Sequence, residues 1–188
     1  MATTDPIRTL DELHALSDYF IQRKEYRNNV LVVLGISTTL PINKLLELRW
    51  SDVYDKQTGK YKDYLILGNK SGKTRAIPLS KEVIKALSLY RPICRSIFLF
   101  PSRSGSQPIS RIQAWRIIKK AATALNLNGE ISCLSLRKTW GYHAWTSKAA
   151  SPDEIMMVYR QENIENTMKF LRVAPNDSDE VLRKVNLF

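Results

Sequence analysis

The sequence predicts a mainly α-helical protein carrying a small three-stranded antiparallel sheet. Two observations predict it. Apolar residues recur at helical spacing on both sides of a short central region, and that region holds three brief β-like runs divided by polar, glycine-containing turns. No internal repeat, low-complexity tract or linker interrupts the 188 residues, so residues 1–188 are read as one domain.

The elements follow in order. Leu13, Leu16 and Phe20 share one face of a helix over residues 10–22. The near-continuous run Val30-Leu31-Val32-Val33-Leu34 suggests a fully buried helix. Thr38-Thr39-Leu40-Pro41 marks a helix start with proline in the first turn. That helix buries Ile42, Leu45 and Leu46 and ends near Trp50. Strands follow at Val53-Tyr54, Tyr64–Leu67 and Thr74–Ile77, separated by turns at Thr58–Lys60 and Gly68–Lys73. Further helices are expected over residues 80–90, 110–126, 133–148, 152–160, 163–172 and 178–186. In the second of these Ile112, Trp115, Ile118, Ala122 and Leu125 fall on one side. Ser151-Pro152-Asp153-Glu154 is a clear start: a cap, a first-turn proline, then acids against the helix dipole.

Composition excludes several classes. No apolar run approaches the roughly 18 residues a membrane-spanning helix needs. The N-terminus lacks the basic-then-apolar layout of a signal peptide. Cys94 and Cys133 lie far apart with no C-x-x-C spacing, so neither a disulfide framework nor a zinc site is legible, and a reducing cytoplasm is the expected setting. The 44% hydrophobic content suits a globular core. Twenty-nine Lys and Arg against eighteen Asp and Glu give +11, a balance that favours a polyanionic partner. The cations are spread through periodic segments, as on a folded surface.

Four segments carry a resemblance. They are Gly35–Trp50, Asn69–Leu79, Ile131–Ala144 and Arg160–Leu171. In this order and at these separations they resemble the first box, the lysine-bearing β-hairpin, the second (His-x-x-Arg) box and the nucleophile helix of tyrosine recombinases, the phage-integrase family. The likeness extends over the whole chain, including Asp5–Arg8, and is to short integrase-like proteins without a separate N-terminal core-binding domain.

The resemblance implies the DNA breaking-rejoining fold and strand exchange without a metal or nucleotide cofactor. In the family a tyrosine attacks the scissile phosphate, two arginines stabilise the developing charge, a hairpin lysine protonates the leaving oxygen, and histidines assist. Carried over residue by residue, Lys70 matches the hairpin lysine and Arg137 the second arginine. Pro41 stands at the first arginine, and Lys44 replaces the acid one turn later. Leu134 stands at the histidine of His-x-x-Arg, Gln161 at the second histidine, and Phe170 at the tyrosine. A phenyl ring offers no nucleophilic atom, so the phosphotyrosyl route is closed. So many departures together point to natural degeneracy and not to a single trap substitution.

Three functions remain open to the sequence. The first is a catalytically silent DNA-binding protein in a recombination or integration context, its partner double-stranded DNA. Its phosphate-facing candidates are Lys70, Arg137, Lys73, Arg75 and Lys138, with Arg103 and Arg111 beside them, and Lys44 as a partial substitute for the lost charge at Pro41. The second is an active recombinase using unorthodox residues, for which Tyr159 and His143 are weak candidate nucleophiles. The third is an interaction module without DNA binding. The amphipathic stretch Val181–Phe188 could join a second copy or an active recombinase, or pack on its own domain.

Overall fold

A computed structural model describes residues 4–68 and 74–173. It divides into two compact units, Met1–Trp140 and Gly141–Phe188, with the boundary inside one helix. Lys70, Lys73, the expected helix over 178–186 and the Val181–Phe188 stretch lie outside the described residues.

In the first unit, α1 (Leu10–Gln22) is capped by Thr9, whose hydroxyl accepts from the Glu12 amide, and the helix buries Leu16 and Phe20. Helix α2 (Tyr26–Thr38) packs against α1 and, on another side, α5 (Lys81–Tyr90). Val30, Leu31, Val32 and Leu34 are all buried, which is what a run without a polar face requires. Gly35 lets three elements converge. A Cβ there would sit 2.9 Å from Leu136 and 3.4 Å from Leu45, so hydrogen alone permits α2 to approach both α3 (Ile42–Leu46) and α7 (Cys133–Thr146).

Pro41 precedes the first turn of α3 and does not occupy it: its ψ of 140° is extended, making it the N-cap. Helix α3 ends at Leu46, and Leu48–Trp50 runs extended against Ile97–Leu99 before the short α4 (Trp50–Val53) begins. Ile42 is only partly buried.

The mainly helical class with small antiparallel sheets holds, but the three-stranded sheet does not. Among the described residues there are two hairpins: β1 (Tyr54–Asp55) with β2 (Lys60–Tyr61), and β3 (Tyr64–Gly68) with β4 (Thr74–Pro78). Val53 belongs to α4. The Asp55 carboxylate accepts from the Gln57 amide at 2.8 Å and Gly59 takes a positive φ of 69°, turning the chain back at once. Tyr54 therefore meets Tyr61 across this turn, before the chain reaches β3. In the second hairpin Leu65 faces Ile77 across the ladder and both are buried, while Tyr64 and Ile66 point outward.

Helix α6 (Arg111–Ala124) opens with a reciprocal cap between Ser110 and Gln113. Ala114, Ile118, Ala121 and Ala122 are buried, whereas Ile112 and Trp115 are exposed. The apolar stripe expected on this helix is thus uncovered at Ile112 and Trp115 and buried from Ile118 onward. The N-terminal strap closes the unit: the Ile7 amide donates to Thr139 Oγ1 at 3.0 Å, and Asp5 pairs with Glu130 through both backbone and side chain.

In the second unit, Ser151 and Glu154 form the capping box that opens α8 (Pro152–Tyr159). Helix α9 (Ile164–Leu171) is capped by Asn163, whose side chain accepts from the Asn166 amide. Ile155, Tyr159, Met168 and Leu171 are buried. Gly141 is required by contact: a Cβ there would stand 2.7 Å from the Tyr159 ring.

Candidate functional site

A recess of about 780 Å³ opens where the N-terminal ends of α3, α6 and α7 meet in the first unit. Pro41 contributes the rim at α3, Arg111 the first residue of α6, and Leu134 and Arg137 the first two turns of α7. The gathering is local in origin. Ser110 caps α6, and Ser132 Oγ accepts from the Leu134 amide as α7 begins. Unsatisfied amides and aligned peptide dipoles at the starts of α6 and α7 give this end of the unit a positive character, to which Arg111 and Arg137 add.

The walls are unusually apolar for such a place. Ile112 is 62% exposed, Trp115 47% and Leu134 42%. Among the described residues neither a histidine nor a carboxylate lines the recess. Its one thiol, Cys133, is held neutral because burial pushes its pKa up to about 11, with the nearby Arg111 charge pulling the other way. The arrangement can attract an anion; among the described residues its lining includes no activated nucleophile and no general base.

Arg137 and Arg111, together with Pro41 and Leu134, are therefore brought together. Other candidates lie elsewhere. Arg75 projects from β4, and its Nη2 donates to Thr39 Oγ1 at 3.3 Å, two residues before Pro41. Lys44 stands exposed and pairs with Glu47 at 3.0 Å, outside the recess. Arg103 is exposed on the 101–108 loop.

Lys138 is a correction. It is 5% exposed, and its ammonium donates to the Thr4 carbonyl at 2.6 Å, so it is a buried structural cation and no phosphate contact. Successive helical residues point about 100° apart, which turns Lys138 inward while Arg137 faces the recess. Gln161 and Phe170 belong to the second unit. Gln161 is partly buried, and the Phe170 ring packs on Tyr159. Tyr159 is 4% exposed and its hydroxyl accepts from the Gly141 amide at 3.0 Å, so this phenol is committed to the core.

Sequence reasoning missed Ile112 and Trp115 as recess walls. They continue a buried stripe, and nothing in the periodicity says where the covering elements stop.

A family model described as "Phage integrase family" matches residues 8–177. This chain belongs to the phage integrase family. It is 30% identical over 175 residues to the "Probable integrase/recombinase YoeC" of Bacillus subtilis (strain 168), covering 92% of both chains. Among solved structures it is similar to XerA recombinase, with a TM-score of 0.72 at 18% identity over 100% of this chain. It is also similar to the Tn1549 transposon integrase in complex with transposon right end DNA, with a TM-score of 0.68 at 18% identity over 98% of this chain. It spans 66% of the length of each of those two chains. The fold is thus that of tyrosine-recombinase catalytic domains. No described helix is long and apolar enough to cross a membrane.

Proposed function

We propose that this integrase-family protein binds double-stranded DNA and does not cut it. The recess of Arg111 and Arg137 carries the reading: it keeps cationic groups at the convergent helix starts while Pro41 and Leu134 stand where the family's other phosphate-handling groups belong. Phe170, at the nucleophile's place in the motif, has no atom that can attack phosphorus. The family membership, the +11 charge and the DNA held by the similar transposon integrase support duplex DNA as the partner.

Catalysis would lose several terms at once. Removing a single transition-state donor costs about 10²–10³ in rate, and removing the nucleophilic oxygen removes the covalent step itself. Binding is less demanding, because phosphate contacts add affinity largely independently of sequence. Such a protein would occupy recombination sites or modulate an active relative, as one chain or through the Val181–Phe188 stretch, in a mobile-element setting.

Electrophoretic shifts on duplex DNA at 50 and 200 mM salt test the binding half. Affinity falling by about 10³ or more across that range supports several phosphate contacts, and an unchanged affinity rejects them.

A further inference from the structure

A second recess, of about 760 Å³, lies in the first unit on residues separate from those around Arg137. It is walled by the start of α4, the β1–β2 turn and the segment from Arg91 to Ile97. Five cationic residues line it, Arg49, Lys56, Lys62, Arg91 and Arg95, against one carboxylate, Asp55.

That carboxylate is already occupied. It accepts the Gln57 amide at 2.8 Å, closing its own turn, and that bond above all keeps its pKa below the ordinary value. The ion pairs among the described residues join Arg8 to Asp5, Lys44 to Glu47 and Lys119 to Glu130, none of them here. The recess therefore gathers five cations around a single ionised carboxylate, Asp55, whose charge acts on Lys62, and keeps a net positive charge.

Arg91 makes it a built site and not merely a lysine-rich surface. Its guanidinium carbon lies 5.2 Å from the Trp50 ring centroid and 5.1 Å from that of Tyr54, so two aromatic faces hold it. Its Nε is buried and has no hydrogen-bond partner among the described residues. A buried donor left unsatisfied is costly, and a ligand oxygen that reaches it relieves that cost. Lys62 is likewise positioned, its Nζ donating to the Ser51 carbonyl at 2.7 Å.

We propose that this recess binds a small molecule bearing a di- or triphosphate group. The charge asks for a multiply ionised anion, and the volume falls in the range of small-ligand sites, roughly 300–1,000 Å³. Arg91 is the anchor, and Lys56, Lys62 and Arg95 distribute the remaining charge around the anion.

Isothermal titration with inorganic pyrophosphate, against orthophosphate and sulfate, tests this at fixed ionic strength. Pyrophosphate is expected to bind about tenfold more tightly than either control, and Arg91→Met to weaken it by about tenfold or more. Because Arg91 also packs on Trp50, the exposed pair Lys56→Gln with Arg95→Gln provides a second arm, expected to weaken binding without changing the melting temperature. Saturating duplex DNA should leave pyrophosphate bound. Absence of binding, equal affinity for sulfate, an unaffected double variant, or displacement of pyrophosphate by duplex would each overturn the proposal, the last by assigning the recess to the DNA surface. Loss of duplex binding alone would leave it standing, since the two sites share no residue.

Discussion

Phe170 packs its ring on Tyr159, with centroids 5.4 Å apart and planes inclined at 62°. The Tyr159 hydroxyl meanwhile accepts from the Gly141 amide at 3.0 Å. The phenol nearest to Phe170 in sequence is thus a structural strut. Tyr159→Phe should lower stability by about 1 kcal/mol in urea unfolding, with duplex affinity unchanged. An equal loss of DNA binding would contradict that role. Gly141→Ala should cost more, about 1–3 kcal/mol, because the new methyl meets the same ring.

Restoring the phenol should not restore cutting. In Phe170→Tyr the recess still has Pro41 and Leu134 in its walls and neither histidine nor carboxylate among its described lining. We expect no covalent protein–DNA band on denaturing gels with this variant. A clear band would mean that the single substitution had been the whole defect.

Arg137 and Lys138 are neighbours in sequence with opposite expected effects. Arg137→Gln should weaken duplex binding and reduce the slope of log affinity against log salt by about one contact. Lys138→Gln should leave that slope unchanged while lowering stability by about 1–3 kcal/mol, because the shorter, uncharged side chain does not reach the Thr4 carbonyl with a charged donor. Salt titrations and urea curves on both variants separate the two.

Cys133 gives a pH signature. Burial raises its thiol from 9.0 to about 11, so the folded protein holds this proton after the unfolded chain has released it. Its contribution to stability is complete below pH 9 and is lost as pH climbs toward 11, on the order of 2–3 kcal/mol in all. Cys133→Ala should therefore show a shallower fall in stability than the parent between those pH values, measured by urea unfolding. Parallel curves would reject the shift.

Much of this was legible beforehand, for physical reasons that differ by element. The β3–β4 hairpin follows from two short β-prone runs divided by the polar, glycine-containing Gly68–Lys73 segment, and its ladder buries Leu65 and Ile77. The start of helix α8 follows from Ser151-Pro152-Asp153-Glu154, with Ser151 and Glu154 forming its reciprocal cap. The β1–β2 hairpin escaped notice because Lys60-Tyr61 carries no apolar alternation; its pairing is set by the Asp55 turn. Lys138 misled because charge suggests solvent, and a carbonyl contributed from Thr4 lies far away in sequence. Pro41, Leu134 and Arg137, three of the positions that the family motifs single out, line one recess. Its Ile112 and Trp115 walls were not foreseeable, since they depend on where covering elements end.

The most direct test uses duplexes selected by the protein's own binding, then nicked to make suicide substrates that trap any cleavage. The parent protein should shift these duplexes in a salt-sensitive manner and yield no covalent adduct after denaturation. A covalent adduct, at any residue, would contradict the account.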